Sequence, residues 1–206
     1  MDTIQTILHF QKSIEKIEDE EKIYTYENAT LDELKQSNDN VFVTTGLILN
    51  GKEYSPEEYT IDTSALIFQS MDSRIWYDKR NHTISDASGF YAFNCSCGEP
   101  GCAGYWNGIR VKVRKKTVEW RVTVEDGYKF LGQNFFSFDK NQYINETIGL
   151  QNKIRQVEKD LGRKVFIDES WNHGLISLDD SIIFNNKRIA REKKERFNLI
   201  KHRQRK

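Results

Sequence analysis

Apolar residues in the opening stretch DTIQTILHFQKSIEKIEDEE recur at Ile4, Ile7, Leu8, Ile14 and Ile17, steps that fall on one side of a helical period. With Asp2 or Thr3 in capping position, the pattern predicts an amphipathic helix over residues 2–20 that docks on a sheet. A short second helix is expected at TLDELKQS, where Thr30 caps the first turn and Glu33 stands three residues on.

From Asn40 the period shortens. VFVTTGLILNGKEYS sets β-branched and aromatic residues on either side of Asn50 and Gly51, the pair best suited to a tight hairpin turn. YTIDTSALIF, SRIWYD and GFYAFNC read as further strands, followed by GIRVKV and VEWRVTV joined through RKKT. In GIRVKV and the residue after it, Ile109, Val111 and Val113 face one way and Arg110, Lys112 and Arg114 the other, so one face is wet. The helical period then returns: Asp139 caps, Tyr143, Leu150, Ile154, Val157 and Leu161 follow in steps of three and four, and Gly162 ends the helix. KVFID and LISL or SIIF read as late strands, and NNKRIAREKKERFNLIKHRQRK as a helical tail.

These elements predict an α+β domain over residues 1–184, with helix 2–20, a sheet across residues 40–135, helix 139–161 and late strands within 164–184, followed by a basic helical tail at 185–206. The sheet is expected to be antiparallel, with about six to eight strands and helices packed on one face.

Composition adds a class and a compartment. Nine Tyr, twelve Phe and four Trp supply the large burial areas that disordered chains lack. No apolar run approaches the roughly 18 residues that span a bilayer, and the chain opens on an acid, which points to a soluble, unsecreted, cytoplasmic protein of bacterial or phage type. Net charge is zero, but residues 1–39 carry ten acids against four bases and residues 185–206 ten bases against two acids. Such polarity suits an acidic or nucleic-acid partner at the tail.

All three cysteines lie in FNCSCGEPGCAG. Cys95 and Cys97 sit on one side of an extended backbone, and Gly98, Pro100 and Gly101 allow a reversal that returns Cys102 to them. Three thiolates from one loop suit zinc, with His173 preferred over His82 as the fourth ligand. The alternative is a structural role for three small buried thiols in a loop shaped by glycine and proline. A thiol hydrolase built on Cys97, His173 and Asp168 is a third drawing, with much less to favour it.

The same residues carry a resemblance. Cys95, Cys97, Gly98, Gly101, Cys102 and Gly104, then Trp120, then Phe136, Phe138, Asp139, Gln142 and Tyr143 resemble a group of uncharacterised bacterial proteins. In that group a CxCGxxGCxG loop precedes a strand pair and an FxFDxxQY helix start. The resemblance spans residues 90–145; it implies an α+β fold and, by analogy of type, an immunity or antidefence partner protein.

Enzyme signatures are sparse. GLILNGKE approaches a phosphate-binding loop, yet its interior is strand-forming and Glu53 stands where a hydroxyl would hold magnesium. The pattern favours binding without catalysis, through a protein partner, with Tyr105, Trp106 and Trp171 as candidate anchors. The alternative partner is nucleic acid, met by Lys187, Arg188, Arg191, Lys193, Lys194, Arg196, Lys201 and Arg203, with the strand face of Arg110, Lys112 and Arg114 and the turn residues Lys115 and Lys116 as an extension.

Overall fold

The first element of the chain is a strand, not the helix expected over residues 2–20. β1 (Ile4–Glu18) pairs antiparallel with β2 (Glu21–Asn28) on one side and with β3 (Asn40–Leu49) on the other. Its four isoleucines and one threonine between Ile4 and Ile17 are β-branched, which suits a pleated surface better than a helix. At the start of the strand burial follows a two-residue step, with Ile4 and Thr6 inside and Gln5 outside. A computed structural model describes residues 1–18, 21–56, 58–71, 90–94, 104, 108–123, 127–170 and 174–203.

Local rules hold at several turns. α1 (Leu31–Lys35) opens on a reciprocal capping box: the Glu33 amide donates to Thr30 Oγ1 at 3.3 Å, and the Thr30 amide donates to Glu33 Oε2 at 2.8 Å. β3 turns through Asn50 and Gly51, both at positive φ (52° and 81°), into β4 (Lys52–Tyr54). YTIDTSALIF is only in part a strand. β5 (Thr60–Ile61) stops at Asp62, whose carboxylate accepts from the Ala65 amide at 2.6 Å and starts α2 (Thr63–Phe68).

β5 pairs with β6 (Phe93–Asn94), and β7 (Arg110–Val113), β8 (Thr117–Arg121) and β9 (Phe135–Asp139) form a three-stranded antiparallel sheet. The helix expected over residues 139–161 is two helices, α3 (Lys140–Glu146) and α4 (Leu150–Leu161). Asp139 caps the first and Gly162, at φ 67°, ends the second. Between them, Thr147 Oγ1 donates to the Tyr143 carbonyl at 2.8 Å, and a side chain on Gly149 would collide with the Asn145 carbonyl.

β10 (Phe166–Ser170) and β11 (Gly174–Ser177) follow, and α5 (Leu178–Arg203) is the last element. SIIF therefore lies in a helix, and the late strands end at Ser177 rather than reaching residue 184. Ser177 Oγ accepts from the Asp180 amide at 3.2 Å, which starts the helix there.

The fold is mixed α+β. Among the described residues its main sheet has six strands, ordered β11-β10-β3-β1-β2 with β4 beside β3. One neighbouring pair, β10 with β3 at Phe166 and Phe42, is parallel, so the sheet is not purely antiparallel. The rest of the strands form the two smaller sheets instead of extending the large one. The Asp2 backbone bridges Phe138, which ties the N-terminus of the main sheet to β9. On β3 the residues Val41, Val43, Thr45, Leu47 and Leu49 are all buried, and Thr45 Oγ1 lies 2.9 Å from Thr63 Oγ1 of α2. The core thus sits on that face.

Candidate functional site

The cysteine loop starts from a firmly anchored strand. Phe93 of β6 is buried edge-on to Phe130, ring centres 5.1 Å apart, and Asn94 Nδ2 donates to Asp62 Oδ2 at 2.9 Å. Cys95, Cys97 and Cys102, the proposed fourth ligand His173, the alternative His82 and the anchor candidates Tyr105, Trp106 and Trp171 all lie outside the described residues. Among the described residues, no group of three or more His, Cys, Asp or Glu side chains converges as a metal site would require.

The tail residues are placed by backbone along α5. Leu178, Ser181 and Asn185 are buried in its first turns, and Ser181 Oγ lies 3.0 Å from Ser64 Oγ of α2. Arg155 of α4 pairs with Asp179, fastening the same end. Lys187 and Lys194 farther along are exposed. Asp168, drawn into the thiol hydrolase, lies in β10.

Sequence reading missed a surface that follows from β1 being a strand. β3 begins at Asn40, opposite Ser13, so among the described residues β1 beyond Ser13 pairs with β2 alone. The result is a two-stranded ribbon running past the edge of the sheet. Ile14 and Ile23 lie on one of its faces and Ile17 on the other, and all three are exposed, Ile17 at 73%. The alternation in KIYTYEN was the available signal; it was masked by the helix-like spacing of the isoleucines before it.

Where the ribbon joins the sheet, a cleft of about 630 Å³ opens beside Leu8, His9, Gln11, Tyr26, Leu31 and Thr44. His9 and Thr44 face one another across β1 and β3. His9 Nε2 and Thr44 Oγ1 are both buried without a hydrogen-bond partner among the described residues, so they do not bond to each other. A nucleophile and its base need that contact, and here it is not made. The imidazole instead lies against Gly46, where a Cβ would stand 2.6 Å from Nε2.

No protein-family model, curated protein or solved structure matches this chain.

Proposed function

We propose that the chain is a non-catalytic binding protein of the immunity or antidefence type, and that it holds a protein partner through the β1–β2 ribbon. One observation carries this reading: a two-stranded ribbon with no third strand beside it among the described residues presents three isoleucines to solvent. An isolated hairpin is marginally stable in water, and burying exposed apolar side chains against a partner is favourable in proportion to the area removed from water. Tyr105, Trp106 and Trp171 enter as further anchors. The cysteine loop enters as a tie, either bound to zinc through Cys95, Cys97, Cys102 and His173 or closed by buried thiols.

The test is affinity capture from native cells with the wild-type chain and with Ile17→Asp. The expected outcome is a partner retained by the first and lost by the second, both folded by circular dichroism; equal capture by both rejects the ribbon. Elemental analysis of the purified chain separates the two forms of the cysteine loop.

A second reading, nucleic-acid binding through the tail, rests on α5 being fastened at its first turns while Lys187 and Lys194 stand exposed beyond them. Removing residues 186–206 is then expected to abolish a salt-sensitive shift of labelled DNA or RNA and to leave the fold intact.

A further inference from the structure

The three-stranded sheet buries one face and leaves the other to solvent. Val118, Trp120, Phe136 and Phe138 point into the core and are essentially inaccessible. Alternation therefore sends their neighbours outward, and the register of the strands sets them in rows. Arg110 pairs with Arg121, and Arg121 with Phe135, so two guanidinium groups and a phenyl ring cross the sheet side by side. The next row is Lys112, Glu119 and Ser137. Directly opposed side chains in such rows have Cβ atoms about 5 Å apart, within reach of one bound molecule.

The face is strongly and locally positive in a chain whose net charge is zero. Its central acid, Glu119, is neutralised by the fork of Arg114, with Nε at 2.9 Å and the second nitrogen at 3.3 Å from its two oxygens. Arg110, Lys112, Lys115, Lys116 and Arg121 are all exposed, and none has an ion-pair partner among the described residues. Glu119 also attracts Lys112 and Arg121, but one acid faces six cations here, and the excess positive charge repels itself unless a further anion lies over the face.

Phe135 supplies the second observation. It is 44% exposed, while the alternate residues of the same strand, Phe136 and Phe138, are buried. An exposed aromatic ring at the end of a row whose next two members are guanidinium groups offers a stacking platform, and the nearby cations would meet a phosphate backbone.

We propose that the outer face of β7, β8 and β9 binds single-stranded nucleic acid, with one base stacked on Phe135 and phosphates held by Arg110, Lys112 and Arg121. A single strand fits because its bases can splay onto the ring, whereas a duplex keeps its base faces stacked inside. The strand face that the sequence offers as an extension of the tail is here the binding surface itself, and it uses no residue of the ribbon or of α5.

The experiment is fluorescence anisotropy with the full chain and labelled oligo(dT), oligo(U) and a duplex of equal length, across a salt series. Both single strands are expected to bind more tightly than the duplex. Neutralising three to five phosphates gives a slope of log affinity on log salt of about −2 to −3.5. Phe135→Ala is expected to weaken single-strand binding about 5- to 150-fold while leaving duplex binding unchanged, the range seen for loss of one stacked base. Arg110→Glu with Arg121→Glu is expected to weaken it at least about tenfold and to flatten the salt slope by roughly 1.4. Ultraviolet crosslinking of 4-thiouridine oligomers, read by mass spectrometry, should mark the peptide holding Phe135 rather than α5.

Several results would overturn the proposal: no single-strand binding at low salt, binding untouched by these substitutions, crosslinks confined to the tail, or preference for the duplex. Capture by phosphatidylserine vesicles without capture of oligonucleotides would make the face a membrane contact and overturn it as well.

Discussion

Trp120 donates its indole N–H to the hydroxyl of Tyr143 at 2.7 Å, and that hydroxyl donates in turn to the Ser70 carbonyl at 2.8 Å. Both rings are buried and meet edge to face, centres 5.9 Å apart at 89°. The chain of bonds links β8, α3 and the residues after α2 through the middle of the core. Burial pushes the Tyr143 phenol far above its ordinary range, so it remains a donor at every working pH. Tyr143→Phe strands the indole N–H and the Ser70 carbonyl together, and the expected cost is about 2–4 kcal/mol. Urea unfolding should show a lower midpoint with an unchanged slope.

The free edge of β1 is closed by side chains rather than by another strand. Glu146 Oε2 accepts from the Thr6 amide at 2.7 Å, Lys153 Nζ donates to the Thr6 carbonyl at 3.0 Å, and the two charges meet at 2.7 Å. Gln142 donates to the Ile4 carbonyl at 3.2 Å. Lys153→Met leaves the Glu146 carboxylate and the Thr6 carbonyl without that donor and is expected to cost about 1–3 kcal/mol. The same variant exposes an unpaired strand edge, so faster aggregation on heating, read by light scattering, is expected with it.

Acid should weaken this contact. Burial raises the Glu146 carboxyl, but the Lys153 ammonium and the Thr6 donors outweigh it and hold the group below the usual glutamate range. Asp2 behaves alike: burial raises it, and the Ser137 amide, Asn50 and Gln133 bring it lower. A carboxyl depressed in the fold contributes stability above its unfolded value and loses that contribution as pH falls through its folded value. Stability is therefore expected to drop below about pH 4, near the unfolded carboxyl values. Glu146→Gln should be less stable at neutral pH and flatter across the acid limb, which thermal melts between neutral and acid pH would measure.

Gly46 tests the packing of His9. A Cβ at this position would stand 2.6 Å from His9 Nε2 and 3.2 Å from Cδ2. Gly46→Ala is expected to destabilise the fold by about 1–3 kcal/mol, the usual cost of overfilling a packed site. His9→Ala should make the same substitution nearly harmless. A double-mutant cycle that gives additive effects would refute the contact.

Asn50 serves both the turn and the N-terminus. It adopts φ 52°, accepts from the Thr3 amide at 2.8 Å and donates to Asp2 Oδ1 at 2.7 Å. Asn50→Ala removes both bonds and puts a residue poorly suited to positive φ into the turn, at an expected cost of about 1–2 kcal/mol. Asn50→Gly keeps the conformation and loses only the bonds, so its loss should be smaller by equilibrium unfolding.

Several features were legible in the chain because they depend on groups a few residues apart. Thr30 with Glu33, Asp139 before α3, Gly162 after α4 and the Asn50–Gly51 turn need no distant partner, and the alternation of Arg110, Val111 and Lys112 assigns its own wet face. What the chain left open was decided by partners far away in sequence. Ile4, Ile7, Leu8, Ile14 and Ile17 satisfy a helical spacing, yet pairing with β3 over Ile4–Ser13 and with β2 over Gln11–Glu18 makes the segment β1. Glu146 closes a strand edge 140 residues away, and Phe135 joins Arg110 and Arg121 in one row only through strand register. Local chemistry determines where a chain turns and caps; which face is covered, and by what, is settled only when remote segments compete for the same backbone hydrogen bonds and the same buried area.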